Sequence, residues 1–181
     1  KKQILLTNDD GIKSPGLWAA AEALSRLGYV TVAAPRDQAS GTGRSVPIGS
    51  DGRIQQLTLR IGQQDWPVYS IGGTPAQVVG HALLELMPVK PDLVVSGINR
   101  GANVGINVIY SGTVSAATEG AIMGIPSMAI SLDSHDKNAD YSIAARFAAR
   151  MARFIAGKNR RTVRATVIAQ TTSVAPFLVD Q

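Results

Sequence analysis

The sequence contains no cysteine, only two histidines and no long apolar run. Without cysteine there can be no disulfide, no thiolate nucleophile and no thiolate metal site. His81 and His135 are too few for a zinc site built from histidine. A membrane span needs about 20 apolar residues, and the apolar stretch after Lys1 and Lys2 is too short for a signal peptide. We therefore expect a cytoplasmic protein without membrane contact, in which oxygen atoms would hold any metal.

The excess positive charge is confined to the C-terminal part of the chain. The net charge is +5, but residues 1–135 hold ten Lys and Arg against ten Asp and Glu. Residues 136–181 hold eight against three, and Arg146, Arg150 and Arg153 recur there at helical spacing. Because few aromatic residues are interleaved with these cations, the pattern favours a solvated helix face over a surface for a nucleic-acid polymer.

Short apolar runs alternate with amphipathic segments along the 181 residues. This alternation predicts a single α/β domain with a mainly parallel sheet that is covered by helices on both faces. The predicted strands are residues 3–7, 29–35, 67–71, 91–98 and 128–132, with a hairpin region near residues 54–61. The first predicted helix covers residues 17–27 and ends at Gly28, and the last covers residues 141–156. Between them, Thr74 is expected to cap a second helix with Pro75 at its first position, and a third helix is expected to start at the SGT sequence of residues 111–113.

Polar clusters follow several of the predicted strands. Asp9 and Asp10 stand side by side at the end of the first strand, Ser40 lies in the loop after the second, and Asn99 follows PDLVVSGI. Ligands of open α/β sheets bind outside the carboxyl ends of the strands, where these side chains would meet. Adjacent carboxylates repel each other unless a cation lies between them, and oxygen donors favour Mg²⁺, Mn²⁺ or Ca²⁺. The alternative is that Asp9 caps a turn and Asp10 is solvated.

Three further features have an ordinary structural explanation beside a functional one. Ser111, Gly112 and Thr113 would cap a helix, but unpaired amides at a helix start also favour phosphate. His81 lies within a predicted helix, so we interpret it as structural. Lys13 lies close to the acidic pair and is interpreted as a solvated surface lysine.

The chain resembles the survival protein SurE family of metal-dependent nucleotidases. The resemblance rests on ILLTNDDGIKSPGL, AAPRDQASGTGRS, GTPAQVV, PDLVVSGINRGANVG and YSGTVSAATEGAIMGIPSMAIS, which occur in this order over about three quarters of the chain. It implies a Rossmann-like three-layer α/β sandwich and one divalent metal ion, Mg²⁺ or Mn²⁺. It also implies hydrolysis of nucleoside 5′- and 3′-monophosphates, and for some members of short polyphosphate.

The resemblance also implies roles for individual residues. Asp9, Asp10, Ser40 and Asn99 would be the metal ligands, and the two aspartates would also be catalytic, as general base or as nucleophile. Substrate-binding residues would be Asn8, Gly41, Asn103, Ser111, Gly112 and Thr113. The family pattern further implies a homo-oligomer, a dimer or a tetramer.

The C-terminal part, about residues 136–181, departs from the family pattern. An LNVNVP-like strand and an extended hairpin are expected after Leu132, but RTVRATVIAQTTSVAPFLVDQ does not clearly supply them. We therefore interpret this part as divergent or incomplete.

Two other functions are compatible with part of this pattern. A receiver-type signalling domain also carries an acidic pair and Mg²⁺, but it needs an Asp after its third strand and a Lys after its fifth. Here Asp92 precedes its strand, and MAISLD is not followed by a Lys at that position. A nucleotide-binding protein without catalysis is the other alternative, and it differs from the enzyme only in turnover.

Overall fold

The computed structural model describes residues 1–61, 63–157 and 166–172. Within them the strands are β1 Lys2–Thr7, β2 Gly28–Pro35, β3 Ile54–Ile61, β4 Gln64–Ile71, β5 Leu93–Arg100, β6 Ser127–Asp133 and β7 Thr166–Thr172. The helices are α1 Pro15–Ser25, α2 Pro75–His81, α3 Asn107–Tyr110, α4 Gly112–Ile122 and α5 Ser142–Gly157. A π-helical turn, Ala82–Leu86, continues α2.

All described strands form one sheet of order β3-β4-β2-β1-β5-β6-β7. Every pair is parallel except the hairpin of β3 and β4, which is antiparallel and lies at one edge. Helices α1 and α5 pack together on one face, and α2 and α4 pack on the other. The predicted three-layer α/β sandwich with a mainly parallel sheet is therefore confirmed.

The side chains of β1 alternate between the two helical layers. Ile4 and Leu6 join the core beneath α1 and α5, whereas Leu5 packs with Val79 and Ala116 on the opposite face. Because both faces are covered, the central strands are continuous apolar runs. The acidic pair Asp9 and Asp10 follows the apolar run of β1, at the carboxyl end of this strand.

Two helix boundaries illustrate the local sequence signals. Thr74 caps α2 and Pro75 is at its first position, as predicted, and the structure adds a reciprocal capping box between Thr74 and Gln77. The prediction that the first helix continues to Gly28 is wrong, because α1 ends at Ser25 and Gly28 begins β2. A side chain at Gly28 would collide with the carbonyl oxygen of Lys2, so glycine is required there by the strand pairing.

The C-terminal part of the chain is only partly described. It contains β7, a strand that was not predicted, which lies parallel to β6 at the second edge of the sheet. Residues 158–165 and 173–181, which carry much of the basic and divergent tail, lie outside the described residues.

The described helices do not include one that is both long and apolar enough to cross a membrane. The longest is α5, with 16 residues.

Candidate active site

The turn after β1 is closed by the side chain of Asn8. Its Nδ2 donates to the carbonyl of Gly11 at 3.0 Å, and its Oδ1 accepts from the amide of Gly11 at 3.2 Å. Asn8 is fully buried and is not part of the wall of the neighbouring cavity. In this structure its side chain therefore positions the two aspartates that follow it, and the predicted contact with substrate has no direct support.

A cavity of about 350 Å³ opens at the carboxyl ends of β1, β2 and β5. The structure brings most of the predicted site residues to its wall: Asp9, Asp10, Ser40, Gly41, Asn99, Asn103 and Ser111. These residues come from four separate stretches of sequence. The sheet topology therefore assembles one polar site from motifs that are as much as a hundred residues apart.

Asp9 is held rigidly between β1 and α4. It is 4% exposed, and the hydroxyl of Thr113 donates to its Oδ1 at 2.6 Å. Gly112 lies directly against it, since a Cβ built on Gly112 would be 2.7 Å from the Cβ of Asp9 and 3.0 Å from its Oδ2. The start of α4 thus fixes the orientation of one carboxylate of the acidic pair.

Asp10 is partly buried beside Asp9. The pKa of the Asp10 carboxyl is raised from 3.8 to about 6, mainly by burial and next by the charge of Asp9, with the charge and the backbone amide of Arg100 acting in the opposite direction. A carboxylate in this position is costly to ionise unless a cation is near. The electrostatics of the pair therefore match the requirement of a metal site.

The loop after β2 carries Ser40 over the acidic pair. The amide of Ala39 donates to the carbonyl of Asp9 at 2.9 Å, which ties the loop to the end of β1. Gln38 Nε2 donates to Ser40 Oγ at 3.2 Å. The other end of the loop is also attached, because the amide of Gly43 donates to the carbonyl of Tyr110 at 3.0 Å. Ser40 thus reaches the cavity through a loop that is attached at two points.

Asn99 lies within β5, where a loop position just past the strand was predicted. The pairing of β5 with β6 shifts in register between Ser96 and Asn99. Gly97 occupies this irregularity with a φ of 128°, and a side chain there would collide with the carbonyl of Ile130. Asn99 Nδ2 donates to the carbonyl of Gly101 at 2.8 Å, and this bond fixes the orientation of the side-chain amide. The other atom of the amide, Oδ1, is the one that could bind a cation.

Asn103 is supported by the edge strands β6 and β7. Its Nδ2 donates to Ser131 Oγ at 2.8 Å. The side chain of Gln170 accepts from the backbone amide of Asn103 at 3.3 Å and donates to its carbonyl at 2.7 Å. The sequence pointed to no role for Gln170, whose contact with Asn103 spans 67 positions.

Ser111 caps α4. Its Oγ accepts from the amide of Val114 at 3.1 Å, and its carbonyl accepts from the amide of Ser115 at 3.0 Å. Among the residues that the structure describes, no acceptor is found for the backbone amides of Gly112 and Thr113. The predicted site residues Gly112 and Thr113 are buried against Asp9 and are not part of the cavity wall, which only Ser111 of this helix start reaches.

The cavity also contains residues that sequence reasoning did not select. Arg100, His135 and Tyr110 contribute to its wall. Arg100 could have been selected from the sequence, because it directly follows the predicted ligand Asn99. His135 lies in a polar loop, where no sequence pattern indicates a role. His81, interpreted as structural, pairs with Glu85 at 2.8 Å and is not in the cavity wall.

A hard cation fits the donor set better than a soft one. The described part of the chain contains no group of three or more His, Asp or Glu residues that could hold a metal. A cation between Asp9 and Asp10 would therefore complete its coordination with neutral oxygens, such as those of Ser40 and Asn99, and with water. Two carboxylates with neutral oxygens and open positions are typical of a Mg²⁺ or Mn²⁺ site.

A family model described as Survival protein SurE matches residues 4–175. The chain belongs to the SurE family. It is 52% identical over 153 residues to a 5′-nucleotidase SurE of Syntrophus aciditrophicus, an alignment that covers 83% of this chain and 55% of that protein. A 5′-nucleotidase SurE of Herpetosiphon aurantiacus is 48% identical over 150 residues, covering 82% of this chain and 58% of that protein.

The fold is also similar to that of a solved SurE structure. The crystal structure of the SurE protein from Aquifex aeolicus superposes with a TM-score of 0.77 and 36% sequence identity, covering 95% of this chain and 66% of that one. The chain thus spans somewhat more than half the length of the curated SurE relatives it matches.

Proposed function

We propose that this protein is a metal-dependent phosphomonoesterase that hydrolyses nucleoside monophosphates to nucleoside and phosphate. The observation that carries the proposal is the convergence of the acidic pair Asp9 and Asp10 with the start of α4 in one cavity. The names of the SurE relatives, 5′-nucleotidases, support the same reaction class.

Asp9, Asp10, Ser40 and Asn99 would hold one divalent ion, Mg²⁺ or Mn²⁺. When bound, such an ion neutralises charge on a phosphoryl oxygen and makes a bound water more acidic. Asp9, fixed by Thr113, serves to hold the position of the pair. Asp10, whose pKa in the metal-free protein is about 6, is mostly ionised at neutral pH, and its carboxylate is suited to accept a proton or to attack phosphorus.

The phosphate would lie against the start of α4. The amides of Gly112 and Thr113 lie at the N-terminal end of α4, where the partial positive charge of the helix favours an anion. Ser111, Asn103 and Gly41 would line the remaining sides of the phosphate position. Donors fixed in this way offset the charge that develops on the phosphoryl oxygens in the transition state.

Finer properties of the function rest on the family resemblance. We propose that both 5′- and 3′-monophosphates are substrates, that short polyphosphate is also cleaved, and that the protein acts in the cytoplasm as a dimer or a tetramer. Neither a membrane nor a nucleic-acid polymer is expected as a partner.

The decisive experiment measures phosphate release from a panel of nucleoside monophosphates. The protein is dialysed against EDTA and then assayed alone, with Mg²⁺ and with Mn²⁺. Activity that appears only with a divalent ion is the expected result. Binding of the nucleotide without any turnover under all three conditions would favour the non-catalytic alternative.

The receiver-domain alternative is disfavoured by the position of Asp92. Its Oδ2 accepts from the backbone amide of Gln3 at 2.9 Å, and Lys2 lies 3.7 Å from its Oδ1. Gln3 and Lys2 are at the amino end of β1, whereas the acidic pair follows the carboxyl end. Asp92 is therefore at the wrong edge of the sheet to accept a phosphoryl group beside Asp10.

A further inference from the structure

A second cavity adjoins the active site on the far side of Asp10. It has a volume of about 300 Å³, and its wall includes Lys13, Lys137 and Tyr141. Three residues, Asp10, Gln38 and Arg100, line both this cavity and the active-site cavity. The two spaces are therefore neighbours separated only by these side chains, so that one elongated ligand could occupy both.

The sign of the charge reverses between the two cavities. The active-site cavity contains the two carboxylates of Asp9 and Asp10, with Arg100 as its cation. The second cavity contains Lys13, Arg100 and Lys137 against the single carboxylate of Asp10. A cation bound at the acidic pair would make the combined site more positive still. The second cavity is thus a place for an anion.

These three cations are not engaged in ion pairs within the described residues. Other exposed arginines of the protein do find carboxylates, for example Arg36 with Asp51 at 3.0 Å and Arg44 with Glu119 at 2.8 Å. Positively charged side chains that are close together in a concave surface repel one another, and an anionic ligand bound between them reduces this repulsion.

Both lysines extend from ordered turns. Lys13 lies in the turn that the amide of Ser14 closes by donating to the carbonyl of Gly11 at 3.1 Å. Lys137 lies in a turn closed by the amide of Asn138, which donates to Asp136 Oδ1 at 2.9 Å. The backbone positions of the two cations are therefore set before a ligand arrives.

Tyr141 forms the wall between these turns. Its ring lies against the start of α1, because a Cβ built on Gly16 would be 2.9 Å from its Cε1. The half-buried phenol lies within the electrostatic influence of both Arg100 and Asp10. It therefore contributes an apolar ring face and a hydroxyl close to the shared boundary.

We propose that Lys13, Lys137 and Tyr141 form a second anion subsite, which binds a further phosphate group carried by the leaving part of the substrate. The proposal rests on the proposed function, since the first phosphate is placed at the start of α4. It adds a preference: a nucleoside that carries a second phosphate, such as a nucleoside 3′,5′-bisphosphate, binds more tightly than a monophosphate. Lys13, interpreted from sequence as merely solvated, then determines specificity.

The test compares adenosine 5′-monophosphate, adenosine 3′,5′-bisphosphate and inorganic tripolyphosphate as substrates with Mn²⁺. The variant K13Q/K137Q removes both lysine charges at exposed positions, so the fold should be kept, and circular dichroism checks this. The matched control is R26Q/R146Q, which removes two exposed positive charges, one directly after α1 and one on α5. It measures the general effect of lowering the net charge.

We expect K13Q/K137Q to lower kcat/KM for at least one substrate with a second phosphate by about tenfold, with little change for the monophosphate. The substrate whose kcat/KM falls most shows whether the second phosphate belongs to a nucleotide or to a polyphosphate chain. In the control variant, kcat/KM should change by the same factor for all three substrates. Equal losses for all three in K13Q/K137Q, the same losses in R26Q/R146Q, or no loss at all would overturn the proposal.

A readout without turnover separates this proposal from the proposed function. If the wild type releases no phosphate from any substrate, the proposed function fails. Binding is then measured from the rise in melting temperature that each ligand causes with Mn²⁺ present. A larger rise with the bisphosphate or tripolyphosphate than with the monophosphate, lost in K13Q/K137Q, still supports the subsite, and equal rises in both proteins overturn it.

Discussion

The hydroxyl of Thr113 donates a 2.6 Å hydrogen bond to Oδ1 of Asp9, and the two residues are 104 positions apart in the sequence. Both side chains are buried, at 0% and 4% exposure. The bond joins the first turn of α4 to the end of β1. It therefore connects the proposed phosphate position to the proposed metal position through a single contact.

Replacing Thr113 by Val should weaken metal binding and activity. Val keeps the shape of the side chain but leaves Asp9 Oδ1 without its donor, and a buried polar group that loses its partner costs about 1–3 kcal/mol. We expect a higher Mn²⁺ concentration for half-maximal phosphate release and a lower melting temperature. Thr113→Ser, which retains the hydroxyl, is the matched control and should recover most of the activity. Equal behaviour of the Val and Ser variants would show that the bond has no role.

Replacing Gly112 by Ala should displace Asp9. The added Cβ would be 2.7 Å from the Cβ of Asp9 and 3.0 Å from Pro75 Cγ, which is closer than packed carbon atoms approach. We expect a loss of activity together with a destabilisation of about 1–3 kcal/mol, measured by denaturant unfolding.

Gly80→Ala is the matched control, because it is also a glycine within a helix but has no atom within 4 Å of a built Cβ. It should stabilise the protein by about 0.5–1 kcal/mol and leave phosphate release unchanged. Full activity of Gly112→Ala would show that Asp9 tolerates the displacement.

The stability of the metal-free protein should fall as the pH rises toward neutrality, through the contribution of Asp10. The folded state raises the pKa of Asp10 from 3.8 to about 6, so the folded protein holds this proton more tightly than the unfolded chain. Between these two values the unfolded state has lost the proton while the folded state keeps it, and stability declines with pH. Above about pH 6 the contribution is constant.

Thermal unfolding in EDTA at pH 5 and pH 7.5 measures this contribution. Asp10→Asn, which cannot ionise, is the control, and the wild type should lose more stability than this variant between the two pH values. Adding Mn²⁺ at pH 7.5 should raise the melting temperature of the wild type and much less that of Asp10→Asn. A wild type and a variant with the same pH dependence would contradict the shifted pKa.

Replacing Asp10 by Asn should abolish most phosphate release while the fold is retained. The variant removes one carboxylate of the pair and relieves its repulsion, so the protein need not unfold, but a cation loses a ligand. Each tenfold fall in rate corresponds to about 1.4 kcal/mol of lost transition-state stabilisation. Asp9→Asn should behave similarly. The measurement is phosphate release after dialysis against EDTA and addition of Mn²⁺ or Mg²⁺.

The control for this prediction is His81→Ala. His81 pairs with Glu85 and lies outside the cavity wall, so its removal should leave turnover within a few-fold of the wild type. Full activity of the wild type in EDTA, or an Asp10→Asn variant as fast as the wild type, would mean that the acidic pair serves another purpose.

Much of the fold was predictable because its signals are local. The apolar runs of β1 and β5, the cap at Thr74 with Pro75 after it, and the hairpin region near residues 54–61 each depend on neighbouring residues. The strand β7 was missed, because a short edge strand with mixed polar residues has no distinctive period. The end of α1 was misplaced because Gly28 is needed for strand pairing and not for a helix cap.

By itself, the sequence determined which residues can carry the chemistry. The adjacent carboxylates of Asp9 and Asp10 and the SGT helix start supply oxygen donors and amides, and the absence of cysteine excludes a thiolate, whatever the packing. The family motifs indicated which of these residues belong to one site, through their order along the chain. These properties are a matter of residue type and spacing, which the linear chain already contains.

Only the tertiary structure decided what each of these side chains contacts. It turned Asn8 toward Gly11, joined Thr113 to Asp9, and placed Lys13 and Lys137 in one cavity beside Asp10. Such contacts form where separate strand ends and loops meet at one edge of a sheet. Loop conformation and long-range packing determine them, and neither leaves a periodic signal in the sequence.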